Sequence, residues 1–452
     1  MADHTIAMTA QAAADMGRAT RQRIPRSALG SWASGPDRAD PISVLERQAA
    51  TRVPELVPIR YARMAAARFP FLRGAPAIMA ADLAGSPNTG LTVQLCGDAH
   101  LSNFGLYASP ERSLVFDLND FDETLPGPFE WDVKRLVASI AVAVRDNGGD
   151  DADARRSAEA AARSYRESMN RLSGLDELSV WYEQVDAEQV AALVTKPKHR
   201  KGVEKALSQA KSNTSLQALG KLTEAGPDGM PRIRSRPPLL TPIEQVDALA
   251  LEQVLADYSR TLAEERRVLL KRHRVLDIAR KVVGVGSVGT RCFIVLMAGH
   301  QTGNPLFLQV KEAQASVLAP HTTRSKFRHH GHRVVNGQRL IQAASDIFLG
   351  WATGTDERHY YLRQLRDMKG SAVIEDMSRT ALRQYSALCG LTLARAHARS
   401  GERIAIAAYL GTADAFDRAM GEFALAYADQ TIADHRALVA AIASGRVPAA
   451  VD

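Results

Sequence analysis

The sequence predicts an α+β protein with two lobes, one mainly helical and one built on an antiparallel β-sheet. The chain has 452 residues, which is long for one hydrophobic core and suits two or three packed units. Leu136, Ile140 and Val144 recur at four-residue spacing, as on the buried face of a helix. Residues 281–299, KVVGVGSVGTRCFIVLMAG, mix β-branched residues with glycines, a pattern typical of a twisted sheet.

The order of these patterns divides the chain into four parts. An N-terminal arm, rich in Arg, Gly, Ser and Pro, is expected to pack poorly. A helical lobe with a basic, turn-rich insertion follows, then the β-rich lobe, and then helices that pack back on the helical lobe. The predicted bounds are 1–40 for the arm, 41–272 for the helical lobe with its insertion near 195–237, 273–377 for the β-rich lobe and 378–452 for the C-terminal helices.

Two helical patterns belong to these parts. A single long helix is predicted from about residue 244 to about residue 271. Near the C-terminus, four large apolar residues at helical spacing predict a core stripe rather than a ligand box. The stripe consists of Phe416, Met420, Phe423 and Tyr427.

Charge and cysteine content argue against several classes of function. The net charge is +7, but acidic and basic residues interleave along the chain, which disfavours nucleic acid as a partner. Cys96, Cys292 and Cys389 are far apart and show no disulfide or zinc spacing, as expected in a reducing cytoplasm. No stretch reaches the roughly 18–20 apolar residues that a membrane span needs.

A loop with the chemistry of phosphoryl transfer follows the strand predicted at residues 91–95. In GDAHLSN at 97–103, Asp98 and Asn103 are five residues apart, like the base and the metal-binding Asn of the protein-kinase catalytic loop. Asp98 would accept the proton of an acceptor hydroxyl, and the Asn103 amide oxygen would hold Mg²⁺. His100 could act in catalysis or orient the loop, and we favour orientation.

A second acidic run, FDLNDFDE at 116–123, follows a predicted hairpin. A carboxylate from this run would reach the same metal, which is the role of the kinase DFG aspartate. Asp117 fits that role by its distance from Asn103, and Asp120 fits it by its distance from Asp132. Both remain candidates. Asp132, at the start of the next helix, is expected to brace the catalytic loop, as in aminoglycoside phosphotransferases.

A glycine-rich string lies between β-rich segments, as in a kinase phosphate-covering loop and unlike a Rossmann strand–helix turn. Its members are Gly284, Gly286, Ser287 and Gly289. Lys311 ends an apolar strand and resembles the lysine that holds the nucleotide phosphates in kinases. Leu365 begins the segment expected to contact the base. The next predicted helix contains no Glu that could pair with Lys311. The candidates for its partner are therefore Gln342, Asp346 and Glu312.

The order of the two half-sites is the reverse of that in ordinary kinases, where the glycine loop and lysine come first. A circular permutation would explain this order. The string ARAHA at 394–398 supports it, because it resembles the helix that precedes the catalytic loop in phosphotransferases. His397 would then lie beneath the catalytic loop, or simply be a satisfied core histidine.

From about residue 17 to its end, the chain resembles a bacterial family known as domain of unknown function 2252. The strings that carry the resemblance include PFLRG at 70–74, QLCGDAHLSNFG at 94–105, FDLNDFDETLPGPFEWDVKRL at 116–136, VVGVGSVGTRC at 282–292 and YYLRQLRDMKGS at 360–371. The resemblance brings no established substrate, so the kinase-like interpretation depends on the residues. Arg73, in PFLRG, could reach a phosphate, although a structural role is favoured.

The favoured function is an ATP- and Mg²⁺-dependent phosphotransferase that acts on an unknown small-molecule or protein acceptor. A second hypothesis is a metallophosphoesterase-like hydrolase whose GDAH and NDFDE segments hold two metals. Such sites usually need several more histidines than this sequence supplies near them. A third hypothesis is a nucleotide-binding pseudokinase. Transfer of AMP in place of phosphate is also compatible with the sequence.

Overall fold

The structure is a computed structural model that describes most of the chain. The described residues are 8–192, 204, 207–212, 215–227, 229–243, 248–300, 305–365 and 368–450. The basic string KPKHRKG at 196–202, part of the predicted insertion, lies outside them. The fold is mixed α+β, as the sequence predicts.

The helices fall into an N-terminal series, a middle group and a C-terminal series. The N-terminal series is α1 (Ala10–Arg23), α2 (Pro41–Ala49), α3 (Val57–Ala65), α4 (Arg68–Gly74), α5 (Pro76–Ala84), α6 (Phe129–Asp146), α7 (Asp151–Ser173), α8 (Glu177–Tyr182) and α9 (Ala187–Ala192). The middle group is α10 (Ser215–Leu222), α11 (Ala248–Arg260), α12 (Glu264–Leu270) and α13 (His330–Ile341). The C-terminal series is α14 (Arg379–Ala398), α15 (Arg403–Leu410) and α16 (Ala415–Ala443).

The strands form one large and three small antiparallel sheets. They are β1 (Thr92–Leu95), β2 (Phe104–Ala108), β3 (Leu114–Leu118), β4 (Leu125–Pro128), β5 (Thr223–Ala225), β6 (Pro231–Ile233), β7 (Leu240–Pro242), β8 (Arg274–Lys281), β9 (Cys292–Ala298), β10 (Pro305–Glu312), β11 (Gly350–Thr353), β12 (His359–Gln364) and β13 (Gly370–Ser371). The six-stranded sheet has the order β11-β12-β10-β9-β8-β7. Lys311 therefore lies on an inner strand, opposite Tyr361 on one side and Cys292 on the other.

The helical region, which comprises the N-terminal and C-terminal series, is organised around α6. Every residue of this helix from Phe129 to Val144 is buried, so α6 is surrounded by protein on all faces. Helices α7, α14 and α16 surround it, and the predicted apolar stripe of α16 lies in the same core. The small sheets β1–β4 and β13-β2-β3 lie on this core, and they carry the loops that contain the two acidic strings.

Two predictions about helices are wrong. The N-terminal arm is not loosely packed, because α1 lies so close to α15 that a Cβ on Gly17 would be 2.1 Å from the Ala405 carbonyl oxygen. The long helix at 244–271 is broken between α11 and α12. Thr261 lies at the break, where its hydroxyl donates to the Tyr258 carbonyl and accepts a hydrogen bond from the Trp351 amide. None of the helices in the described part is long and apolar enough to cross a membrane.

Candidate functional site

A cleft of about 1340 Å³ lies between the helical region and the six-stranded sheet. Residues of α2 and α5 line it, and so does the glycine-rich loop between β8 and β9. Its floor is the pair of acidic segments that follow β1 and β3. Of the predicted site residues, the cleft is lined by Asp98, His100, Asn103, Asp120, Gly284, Gly286 and Ser287.

The loop that carries Asp98 is held from below by Asp132, as predicted. The two Asp132 carboxylate oxygens accept hydrogen bonds from the Cys96 and Gly97 amides, at 2.7 and 3.0 Å. His397 lies 3.2 Å from the same carboxylate, and its other ring nitrogen is 2.9 Å from the Tyr165 hydroxyl. A buried aspartate at a helix start thus fixes the backbone of the predicted catalytic loop, and the C-terminal α14 supports that aspartate.

The pKa of Asp98 lies closer to neutral pH than that of an ordinary carboxyl group. Burial raises its pKa to about 6, even though Arg135 Nε lies 2.8 Å from Oδ1 and favours the ionised form. His100 Nε2 lies 3.7 Å from Asp98 Oδ2, too far for a hydrogen bond. Burial, with help from Arg73 and Arg135, lowers the pKa of His100 well below its usual value, so the imidazole is neutral. A carboxylate with such a pKa can accept a proton near pH 7.

Lys311 joins the sheet to the second acidic segment. Its Nζ lies 2.5 Å from Asp122 Oδ2 and 3.5 Å from Asp120 Oδ1. The Tyr361 hydroxyl donates to Asp122 Oδ1 at 2.7 Å, so both oxygens of Asp122 are engaged. Asp120 Oδ1, by contrast, is buried and has no hydrogen-bond partner. Burial alone would raise the pKa of Asp120, but the attraction of Lys311 and Arg363 keeps it below its usual value.

Asp117 does not reach the cleft. It lies inside β3 and is fully buried, and both of its carboxylate oxygens accept hydrogen bonds from Arg395 Nη2 at 2.6 and 2.8 Å. The Ala343 amide donates to the same carboxylate. Asp117 is therefore part of a structural ion pair, and of the two aspartates predicted as metal ligands only Asp120 lines the cleft.

The cleft residues fit one mode of Mg²⁺ binding. Among the described residues, no group of three His, Cys, Asp or Glu forms a ready metal site. Mg²⁺ often needs no such group, because it keeps several waters and uses one or two protein oxygens together with substrate phosphates. The unpartnered Asp120 oxygen is one such ligand. The amide oxygen of Asn103 is another, because the Asn103 Nδ2 donates to the Asp98 carbonyl at 2.7 Å and so fixes the orientation of the amide.

The glycine-rich loop is fastened to the helical region through its carbonyl groups. Arg63 donates to the Gly284 carbonyl at 2.7 Å, Arg52 donates to that of Val288, and the Val53 amide donates to that of Gly289. In the described part of the chain, the amides of residues 285–287 donate to no acceptor. Gly284 has a φ of +66°, a left-handed conformation that glycine adopts freely. Free amides in a tight turn are suited to an anion.

Leu365 lies away from this cleft. Its side chain is buried in an apolar cluster with Ala218 of α10, Ile233 of β6 and Phe307 of β10. Phe307 shares the sheet face of Lys311, because the two residues are four positions apart on one strand. The predicted base-contacting position is thus covered by the chain itself in this arrangement.

Within the described part of the chain, Lys311 forms ion pairs with Asp122 and Asp120 and with none of the three predicted candidates. Gln342 donates to the Leu118 carbonyl, Asp346 accepts from the Phe348 amide, and Glu312 faces Arg291. The partner is Asp122, which the sequence places in an acidic string without distinguishing it from its neighbours. The prediction failed because it assumed that the partner lies on the following helix.

Two further groups at the site were not predicted. Arg333 of α13 donates to the carbonyls of Asp122 and Thr124, and so fixes the backbone of the second acidic segment. Burial raises the pKa of Glu123 to about 7, although the Val317 amide donates to its carboxylate. Local pattern offers no signal for Arg333, because its acceptors are backbone oxygens about two hundred residues away.

Comparison with known proteins gives one match. A family model described as an uncharacterized protein conserved in bacteria, domain of unknown function 2252, matches residues 52–441. That range contains both acidic segments, the glycine-rich loop and Lys311. No curated protein and no solved structure is detectably similar to this chain.

Proposed function

The chain belongs to the domain of unknown function 2252 family, and from that premise we propose that it is an ATP- and Mg²⁺-dependent phosphotransferase with a circularly permuted, kinase-like fold. The observation that carries the proposal is the position of Lys311, whose Nζ lies 3.5 Å from Oδ1 of Asp120, a residue that lines the same cleft as Asp98 and Asn103. In kinases, a lysine from the sheet and an aspartate from the other lobe meet in this way around the nucleotide phosphates.

Each residue then has a role that its surroundings support. Asp98, with a pKa of about 6, accepts the proton of the acceptor hydroxyl. Asp120 and Asn103 would hold Mg²⁺, which neutralises charge on the phosphates when bound. Lys311 binds phosphate oxygens, and the free amides of residues 285–287 donate to them. Because phosphoryl transfer needs mostly positioning and electrostatic stabilisation, this set is sufficient for the chemistry.

The order of elements also supports the proposal. The glycine-rich loop joins β8 to β9, the lysine lies on the next strand, β10, and helix α13 follows before β11 and β12. Kinases place the glycine loop, the lysine on strand three and the next helix in the same order. The contact of His397 with Asp132 fits a permutation, because it places α14 directly beneath the loop that it would precede in an unpermuted chain.

A second candidate function, a nucleotide-binding pseudoenzyme, is favoured by two observations. Lys311 is paired with Asp122 rather than with a helix glutamate, and α10 covers the sheet face that includes Leu365. Under our proposal, this arrangement is a resting state in which Asp122 pairs with Lys311 until a nucleotide phosphate replaces it. Turnover of ATP distinguishes the two functions, because a pseudoenzyme binds the nucleotide without consuming it.

The proposal is tested by calorimetry with ATP in the presence and absence of Mg²⁺. The wild-type protein should bind ATP only with Mg²⁺, and Asp120→Asn should weaken binding at least about tenfold, which corresponds to losing one charged ligand. Glu111→Gln, an exposed acid on the hairpin between β2 and β3, is the matched control and should bind as wild type does. Absence of Mg²⁺-dependent binding by the wild-type protein would refute the proposal.

A further inference from the structure

A second cavity, of about 250 Å³, is separate from the cleft, and we call it the small cavity. It is lined by Gln338 of α13, Asn119, Arg363 of β12 and Lys369, together with residues of the hairpin between β2 and β3. Among the described residues, none lines both the small cavity and the cleft. Asn119 lines the small cavity and the next residue, Asp120, lines the cleft, so the two sites adjoin at one short segment of the chain.

Two neighbouring cations line the small cavity. Arg363 Nε donates to the Gln309 side chain at 3.1 Å, and its Nη1 donates to the Asn119 carbonyl at 2.9 Å. Its Nη2 has no acceptor in the described part of the chain, so one edge of the guanidinium is available to a ligand. Repulsion by Arg363, together with burial, lowers the pKa of Lys369 to about 7, which means that the two positive charges lie close together. A bound anion would relieve this repulsion.

The charges on the wall of the small cavity do not balance. Three basic residues, Arg112, Arg363 and Lys369, line it, and Asp346 is the one acidic residue among the described residues that does so. Both oxygens of Asp346 already accept hydrogen bonds from backbone amides. Asp120 attracts Arg363 and Lys369, but it lines the cleft rather than this cavity. The small cavity therefore has an excess of positive charge, which favours an anionic ligand.

The rest of the lining and the size of the cavity restrict the kind of anion. The side-chain amides of Asn119, Gln338 and Gln342 belong to the lining, and amides can donate to an anion or accept from a hydroxyl. Gln338 is 3% exposed, and its Oε1 has no hydrogen-bond partner in the part of the chain that is described. The volume is below the roughly 300–1,000 Å³ of most ligand pockets, so the ligand is a small molecule.

We propose that the small cavity is a second ligand site, in which Arg363 and Lys369 together bind a dianionic phosphate group, either free phosphate or the phosphate of a small molecule. A dianion matches two neighbouring cations, whereas a carboxylate brings only one charge. The planar guanidinium presents parallel donors to phosphate oxygens, and the lysine adds a compact positive charge. This site goes beyond the proposed function, because no step of phosphoryl transfer in the cleft uses it.

The test is calorimetric titration of the full chain with inorganic phosphate. The wild-type protein should bind phosphate, and acetate, a monoanion, should bind at least about tenfold more weakly. Arg363→Gln and Lys369→Gln should each weaken phosphate binding at least about tenfold, because each removes one of the two cations. Arg383→Gln, at an exposed position of α14 that lines neither cavity, is the matched control and should bind phosphate as the wild type does. Glycerol phosphate distinguishes the two sources of the group: tighter binding than that of inorganic phosphate indicates a phosphate ester, and weaker binding indicates free phosphate.

Two further measurements separate the small cavity from the cleft. Arg73→Gln removes a cation that lines only the cleft and should change phosphate affinity less than about twofold. Phosphate should also bind with the same affinity when Mg²⁺ and a non-hydrolysable ATP analogue are present at saturation. The proposal is overturned if the analogue displaces phosphate, or if Arg73→Gln loses phosphate affinity while Arg363→Gln and Lys369→Gln keep it.

The remaining outcomes keep this proposal distinct from the proposed function. If the wild-type protein binds phosphate but no ATP analogue, the proposed function fails and the phosphate site stands. If it binds the analogue but no phosphate, the phosphate site fails and the proposed function stands. Arg363→Lys keeps the charge without the planar fork, so it should bind phosphate with intermediate affinity. It provides a second variant should Arg363→Gln not fold, which thermal unfolding detects.

Discussion

Lys311 and Asp122 form a partly buried ion pair, 2.5 Å long, between residues separated by 189 positions in the chain. The lysine belongs to the central part of the six-stranded sheet, and the aspartate follows the small sheet of the helical region. The lysine side chain is only 3% exposed, and its Nζ also lies 3.5 Å from Asp120 Oδ1. This pair is the point at which the two predicted half-sites meet, so it links the stability of the protein to its proposed site.

Replacing Lys311 should therefore affect both stability and binding. Lys311→Met keeps the aliphatic volume but leaves two neighbouring carboxylates without their cation. Because those side chains remain 28% and 32% exposed, we expect a loss of about 1–3 kcal/mol in the free energy of unfolding, below the full cost of a wholly buried pair. Urea unfolding measures the loss, and calorimetry should show that Mg²⁺–ATP no longer binds. Lys326→Met, an exposed lysine of the β-rich part, should change neither quantity. Wild-type unfolding and affinity in Lys311→Met would contradict the assigned role.

Asp117 and Asp120 should respond in opposite ways to the same substitution. Asp117→Asn leaves Arg395, whose side chain is 2% exposed, without its carboxylate. We expect it to lower the free energy of unfolding by about 3–5 kcal/mol. Asp120→Asn should change stability by less than about 1 kcal/mol, since its Oδ1 has no hydrogen-bond partner, yet should weaken Mg²⁺-dependent ATP binding at least about tenfold. Unfolding curves together with calorimetry measure both, and the reverse pattern would return the metal role to Asp117.

The pH dependence of turnover should reflect Asp98. Its pKa is raised from the ordinary carboxyl range to about 6, so the ionised base is present above pH 6 and is lost as the pH falls through that value. We expect kcat/KM to fall about tenfold per pH unit on the acid side of this pKa. Neutral His100 contributes no opposing titration there, because its pKa is lowered. Asp98→Asn should reduce kcat about 10²–10⁴-fold at every pH. A profile flat from pH 5 to 7 would exclude Asp98 as the base.

Arg135 offers an independent check on that assignment. Burial raises the pKa of Asp98, while Arg135 partly offsets the rise by favouring the ionised form. Removing the cation in Arg135→Gln should therefore raise the pKa further and move the acid limb of kcat/KM to higher pH. A purely structural role for Arg135 would lower activity without moving the limb, so pH profiles of the variant and the wild type distinguish the two roles.

Short-range features of the site were predictable because local geometry determines them. The five-residue spacing of Asp98 and Asn103 places both at one loop, and the start of a helix fixes Asp132 beneath it. The choice between Asp117 and Asp120 depends on where β3 ends. Since the strand ends at Leu118, Asp117 points into the core and Asp120 lies beyond the sheet, but a sequence pattern cannot locate a strand end to within two residues.

Long-range pairing could not be predicted in the same way. The partner of Lys311 was expected on the next helix, whereas α13 supplies Arg333, which binds backbone carbonyls. The close packing of the N-terminal arm was also not predictable from the sequence. Gly17 lets α1 approach α15 closely but adds no large apolar residue to the sequence pattern. Such contacts depend on how the sheet and helices come together, and periodicity reports only which face of each element is buried.

Helix α10 covers Leu365, and this contact leads to a prediction on access to the nucleotide site. Ala218 of α10 is 1% exposed and packs with Phe307 and Leu365 on the sheet face of Lys311. If a base binds at Leu365, α10 must first move away, and the free energy needed for that movement weakens the observed affinity. Ala218→Glu would place a charge in this apolar contact and release the helix. We expect it to tighten Mg²⁺–ATP binding about tenfold by calorimetry.

Lys221→Glu adds the same side chain at an exposed position of α10 and should leave the affinity unchanged. Weaker binding in Ala218→Glu would instead make α10 part of the base site. Equal binding in both variants would place the base elsewhere in the cleft, because moving α10 would then have no bearing on where the nucleotide sits.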